Sequence, residues 1–98
     1  MTRYRVMSGY EVLRVIDPYT IAILIVLREK EMNLSELLRN VSDIATMSMV
    51  TLANKVKILL KYGFIKVAER RKSAFTEEKK YQLTPKGRIV VDAFLKVL

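Results

Sequence analysis

The sequence predicts a mainly α fold closed by one small β-hairpin (α+β), in the order helix, helix, helix, hairpin, helix. Three observations lead there. The apolar period is helical up to Gly63 and strand-like directly after it. A cap residue followed by proline occurs twice, at Asp17-Pro18 and Thr84-Pro85. The net charge of +8 is also unevenly spread: residues 63–88 hold eight basic and three acidic side chains, a net of +5.

Each element has its own signal. Residues 1–16 form an N-terminal extension broken at Gly9, and residues 10–16 fit a short helix or a strand equally well. Asp17 caps a helix expected over 18–31. It is apolar nearly all round (Ile21, Ile23, Leu24, Ile25, Val26, Leu27), which places it at the centre of the core. A second helix is expected over 36–45 with Ser35 as its cap, from the spacing of Leu37, Leu38, Val41, Ile44 and Ala45. A short turn, Thr46-Met47-Ser48, then leads to a third helix over 49–62. Leu52, Val56, Leu59 and Leu60 are its buried stripe, and Gly63 is its left-handed terminator. Alternation marks a hairpin over 64–83, with strands at 64–70 and 80–83 and a charged loop over 71–79. Thr84-Pro85 opens a last helix over 85–98. At 98 residues the chain reads as a single domain. A chain of this size buries roughly 60–65% of its unfolded surface. Its 51% hydrophobic content therefore leaves apolar surface for a second subunit.

Composition excludes several functions. With no cysteine and no histidine, thiol and imidazole chemistry and the usual zinc ligands are lost. The ten carboxylates show no paired motif, so catalysis, a metal and a cofactor are not expected. The longest apolar run, Ile21 to Leu27, falls far short of the about 20 residues that span a bilayer. No secretory leader is visible, so a cytoplasmic location is expected. The richness in Val, Ile, Leu and Lys points to a thermophilic source. A sequence pI near 9.9 favours a polyanionic partner, nucleic acid before membrane.

The second and third helices meet the demands of a helix-turn-helix. Met47 is the apolar pin in the turn, and Leu52, Val56 and Leu59 bury one face of the third helix. The opposite face carries Met49, Val50, Ala53, Asn54 and Lys57, mostly small or hydrogen-bonding groups that suit entry into a major groove about 12 Å wide. Asn54 is placed to pair with adenine or to bond a phosphate. Ser48 and Thr51 sit at the helix start, where backbone phosphate binds. Lys55, Lys57 and Lys61 add charge toward the C-terminal half.

The stretch from Met47 to Ile65 resembles the recognition helix of winged-helix transcription regulators, and Tyr81-Gln82-Leu83-Thr84-Pro85-Lys86-Gly87 resembles their second wing strand and the helix after it. The nearest families are the MarR, HxlR and PadR-like regulators of bacteria and archaea, with an archaeal member favoured. The likeness covers about residues 18–90. It implies a winged helix-turn-helix that binds double-stranded DNA, with helix 49–62 in the major groove. The wing, carrying Lys66, Arg70, Arg71, Lys72, Lys79 and Lys80, would meet the adjacent minor groove or the backbone. A homodimer is expected, joined through segment 4–16, helix 89–98 or both, with two recognition helices about 34 Å apart. The chain departs from the families in three ways. Its second helix and turn are three or four residues longer, its groove face has no arginine, and Phe75 stands at the wing tip, to pack on DNA, on a partner or on the wing itself. The alternatives are a protein-interaction module of a larger assembly, which the arginine-free face suits, and a non-specific architectural DNA binder.

Overall fold

The computed structural model describes residues 14–97. The N-terminal extension expected over 1–16 therefore lies outside the described residues up to position 13, as does Leu98. The elements are α1 (Pro18–Leu27), α2 (Leu34–Val41), α3 (Met49–Lys61), β1 (Ile65–Lys72), β2 (Glu77–Leu83) and α4 (Pro85–Lys96). Their order is the one the sequence predicts.

Helix α1 starts where expected. Asp17 Oδ1 accepts from the Thr20 backbone N–H at 2.8 Å, and Thr20 Oγ1 accepts from the Asp17 N–H at 2.8 Å, a reciprocal capping box. The helix packs against α2, α3, α4 and β2, with Ala22, Ile23 and Leu24 fully buried. It ends at Leu27, four residues short of the expected 31. The reason is a pairing that the apolar period does not report. Met32 leaves the helix to form an antiparallel bridge with Tyr81, its N–H donating to the Tyr81 carbonyl at 3.0 Å and its carbonyl accepting from the Tyr81 N–H at 2.8 Å. The chain between 28 and 31 is spent on reaching that edge.

Helix α2 is shifted from the expected 36–45 to Leu34–Val41, and its cap is Asn33, not Ser35. Asn33 Oδ1 accepts from the Glu36 N–H at 2.8 Å while Glu36 Oε1 accepts from the Asn33 N–H at 2.9 Å. That backbone hydrogen bond from Asn33 holds the Glu36 carboxyl below its ordinary range. The turn is correspondingly longer than Thr46–Ser48. It runs from Ser42 to Ser48, and Val41 O accepts from both Ile44 and Ala45 at 2.8 Å. Met47 is half-buried against the core, as its pinning role requires.

Helix α3 is capped by Ser48, whose Oγ accepts from the Thr51 N–H at 3.1 Å. Leu52, Val56 and Leu59 are buried. The chain leaves the helix through Gly63 at φ +78°, a left-handed conformation that costs glycine little and other residues more. The hairpin's strands are longer than expected. β1 reaches Lys72 and β2 begins at Glu77, so the loop is Ser73–Thr76 and not 71–79. Cross-strand pairing of Arg71 with Glu78 and Lys72 with Glu77 extends the ladder into the charged stretch. An irregularity between Val67 and Glu69 leaves Ala68 unpaired. Helix α4 runs Pro85–Lys96 from the Thr84 cap, slightly shorter than 85–98.

Candidate nucleic-acid interface

α3 presents two faces at helical spacing. Leu52, Val56 and Leu59 point into the core; Val50, Asn54, Lys57 and Lys61 are exposed, with Ala53 half-buried between them. Val50 is 70% exposed in the first turn of the helix. Met49 is exposed at the first turn beside Ser48 and Thr51. Ser48 Oγ lies 3.2 Å from Thr51 Oγ1, so the two hydroxyls share the helix entrance.

Lys55 does not belong to this face. It sits next to the buried stripe, and its Nζ is 2.7 Å from Asp17 Oδ2 and 5.7 Å from the Tyr19 ring centroid. It ties α3 to the start of α1. Burial pushes the Asp17 carboxyl up, but hydrogen bonds from Lys55 and from the Thr20 N–H outweigh this, and the net pKa is lowered. Lys61 also has a local partner, standing 5.6 Å from the Tyr62 ring centroid, but remains exposed.

In the hairpin, residues directly opposite each other share a face and successive pairs alternate. Ile65 with Leu83 and Val67 with Tyr81 face the core. Beyond the irregularity at Ala68, β2 continues to alternate. The pairs Glu69–Lys80 and Arg71–Glu78 lie on one side, and Arg70–Lys79 and Lys72–Glu77 on the other. The first side is balanced: Arg71 pairs with Glu69 at 3.3 Å, and Glu78 accepts from the Asn33 side chain at 2.9 Å. The second side holds three cations against one carboxylate. Arg70 and Lys79 sit opposite each other as like charges, an arrangement that weakens a hairpin on its own. Among the described residues, ion pairs engage Arg28, Lys55 and Arg71, and none of the cations on this second side. Lys66 is exposed at the base of the wing and Lys80 is half-buried.

The two surfaces are joined at one corner. Thr84 Oγ1 donates to the Gly63 carbonyl at 2.6 Å, Lys86 Nζ donates to the Tyr62 carbonyl at 2.6 Å, and the Thr84 N–H donates to the Phe64 carbonyl at 3.1 Å. Lys86 also lies 4.7 Å from the centroid of the buried Phe64 ring. At Gly87 a Cβ would run into the Phe64 carbonyl, so only glycine lets α4 come this close to the exit of α3. The Thr-Pro-Lys-Gly string, which the sequence offers as a helix start and as a resemblance, thus has a further physical task. It closes the corner between helix and wing.

Comparison with solved structures meets the same arrangement. A PadR family transcription regulator from Clostridium difficile superimposes with a TM-score of 0.71 at 19% identity, covering 82% of this chain and 85% of that one. The fold is a winged helix-turn-helix. PadR of Bacillus subtilis, solved in complex with operator DNA, matches with a TM-score of 0.70 at 22% identity over 78% of this chain, but this chain spans only 45% of its length. RosR of H. salinarum matches with a TM-score of 0.68 at 19% identity, over 83% and 72% of the two chains. No family model matches the chain, and no curated protein does. Among the described residues no helix of this winged helix-turn-helix is long and apolar enough to cross a membrane, and no cluster of His, Cys, Asp or Glu is suited to a metal.

Proposed function

We propose that the chain is a non-enzymatic, DNA-binding transcription regulator that works as a homodimer in the cytoplasm, its whole length forming one winged-helix domain. α3 enters the major groove through Met49, Val50, Ala53, Asn54 and Lys57. Ser48, Thr51 and Lys61 lie toward phosphates at its two ends. Lys66, Arg70, Arg71, Lys72, Lys79 and Lys80 bring the wing to the backbone or the adjacent minor groove. Lys55 is assigned to holding α3 on α1. The observation that carries the reading is the wing face on which Arg70, Lys72 and Lys79 gather around a like-charge pair. Such a face favours a polyanionic partner.

Mobility-shift titration against duplex DNA at several salt concentrations tests it. Binding should weaken steeply with salt, by a log–log slope of about −0.9 for each phosphate neutralised. Absence of salt-sensitive binding sinks the proposal. The dimer reading is supported by α4, where Ile89, Ala93 and Val97 form an exposed stripe at helical spacing, Ile89 at 70% and Val97 at 79% exposure. A monomeric mass at micromolar concentration would remove it, and Ile89→Glu should produce that mass from a dimer. An archaeal, thermophilic source completes the reading, supported by composition. A melting midpoint within the range of about 45–65 °C usual for mesophile domains would count against it.

A further inference from the structure

Phe75 is 95% exposed at the end of the hairpin, so the wing itself does not shelter it. Its presentation is set by the turn. Ser73 N–H donates to the Thr76 carbonyl at 2.8 Å, Thr76 N–H donates to Ser73 Oγ at 3.2 Å, and the two side-chain oxygens lie 2.9 Å apart. The neighbours in the turn are Ser73, Ala74 and Thr76, all small, so the tip is slim and carries one large group. Behind it stand the Lys72–Glu77 pair, then Arg71–Glu78, and then the like-charged Arg70–Lys79 pair.

We infer that Phe75 is an apolar wedge that enters the minor groove and partly unstacks one base step, an inference that rests on the DNA-binding reading above. The receptor for this tip must offer an apolar slot flanked by negative charge. The minor groove does so: it is about 6 Å wide, it is walled by phosphates, and its floor is the edge of stacked bases. Arg70, Lys72 and Lys79 meet the walls as the ring meets the floor. Wedges of this kind kink the duplex toward the major groove by roughly 20–90°, which is where α3 lies in the proposed complex. The cost of opening a step is lowest at flexible pyrimidine–purine steps such as TA and CA/TG. Phe75 would therefore supply sequence preference through deformability, where α3 has no arginine to supply it through guanine contacts.

The test compares the wild type, Phe75→Ala and Phe75→Leu on one duplex with a TA step at the wing site. Affinity, salt slope and end-to-end bend by energy transfer are measured, with melting curves to confirm the fold. The wild type should bend the duplex. Phe75→Ala should lose affinity by about ten-fold, in line with the loss of one stacked aromatic, and should lose the bend. Its salt slope should stay unchanged, because no phosphate contact is removed. Phe75→Leu, which keeps an apolar wedge, should keep most of the bend. A Phe75→Ala protein that binds and bends like the wild type overturns the wedge and leaves the DNA-binding reading standing. A wild type that ignores DNA defeats both. Capture by anionic vesicles that depends on Phe75, or self-association lost in Phe75→Ala while the bend is kept, gives the ring another receptor and overturns the wedge.

Discussion

α3 and the wing both show a candidate binding face to solvent, yet they are built on opposite principles. α3 is fastened along its length by Leu52, Val56 and Leu59 in the core, by the Ser48 cap and by the Lys55–Asp17 pair. Every residue of the hairpin from Arg70 to Glu78 is exposed, and it is held by cross-strand pairing and a few exposed polar contacts, such as that of Glu78 with Asn33, with no buried side chain. The helix offers few cations on its groove face and a defined shape; the wing offers charge on a projection with no core of its own. The difference teaches that stability and electrostatic attraction are housed separately here. Substitutions should separate them as well.

The largest effect should come from the wing and should touch only binding. Replacing Arg70, Lys72 and Lys79 together by Ala should reduce the salt slope by about 3 and DNA affinity by orders of magnitude. The unfolding free energy should stay within about 0.5 kcal/mol at the exposed Arg70 and Lys72, with a somewhat larger change allowed at the half-buried Lys79. A large loss of stability in urea would break the comparison. The converse is Leu59→Ala in α3, which should cost about 2–5 kcal/mol in denaturant unfolding. Gly87→Ala should come next, at about 1–3 kcal/mol, because the added Cβ meets backbone that cannot swing aside. Ser48→Ala should cost about 1 kcal/mol through the lost cap.

The smallest effect concerns pH. The Asp17 pKa is lowered in the fold from 3.8, so its contribution is present at neutral pH. That contribution is lost as pH falls through the lowered folded value. Melting curves between about pH 6 and pH 2 should show this extra acid sensitivity in the wild type and a smaller one in Lys55→Met.

What was legible in the sequence was what is local. The caps at Asp17, Ser48 and Thr84 announce themselves within three residues of the bonds they make, and the α3 stripe repeats within two turns. The Asn33 box was written as Asn-x-x-Glu and outranks Ser35 because both of its bonds form at once. The early end of α1 was not legible, since the bridge from Met32 to Tyr81 is made by backbone atoms that carry no side-chain signature. Nor was the role of Lys55, whose partner is 38 positions away. The wing's strand length left a fainter trace. Arg71-Lys72 and Glu77-Glu78 have opposite signs and equal spacing from the turn, the mark of a ladder and not of a loop. The basic face of the wing was legible as charge but not as a face, because the irregularity at Ala68 resets which residues stand together.

The corner closed by Thr84, Lys86 and Gly87 gives the molecule the character of a caliper. The exit of α3 and the root of the wing are bonded to the same few residues, so the angle between the two jaws is set before any duplex arrives. A jaw angle fixed in advance transfers the burden of adjustment to the object gripped. Under the proposed function, duplexes that bend easily into that opening would be held at little cost, and stiff ones of equal charge would not.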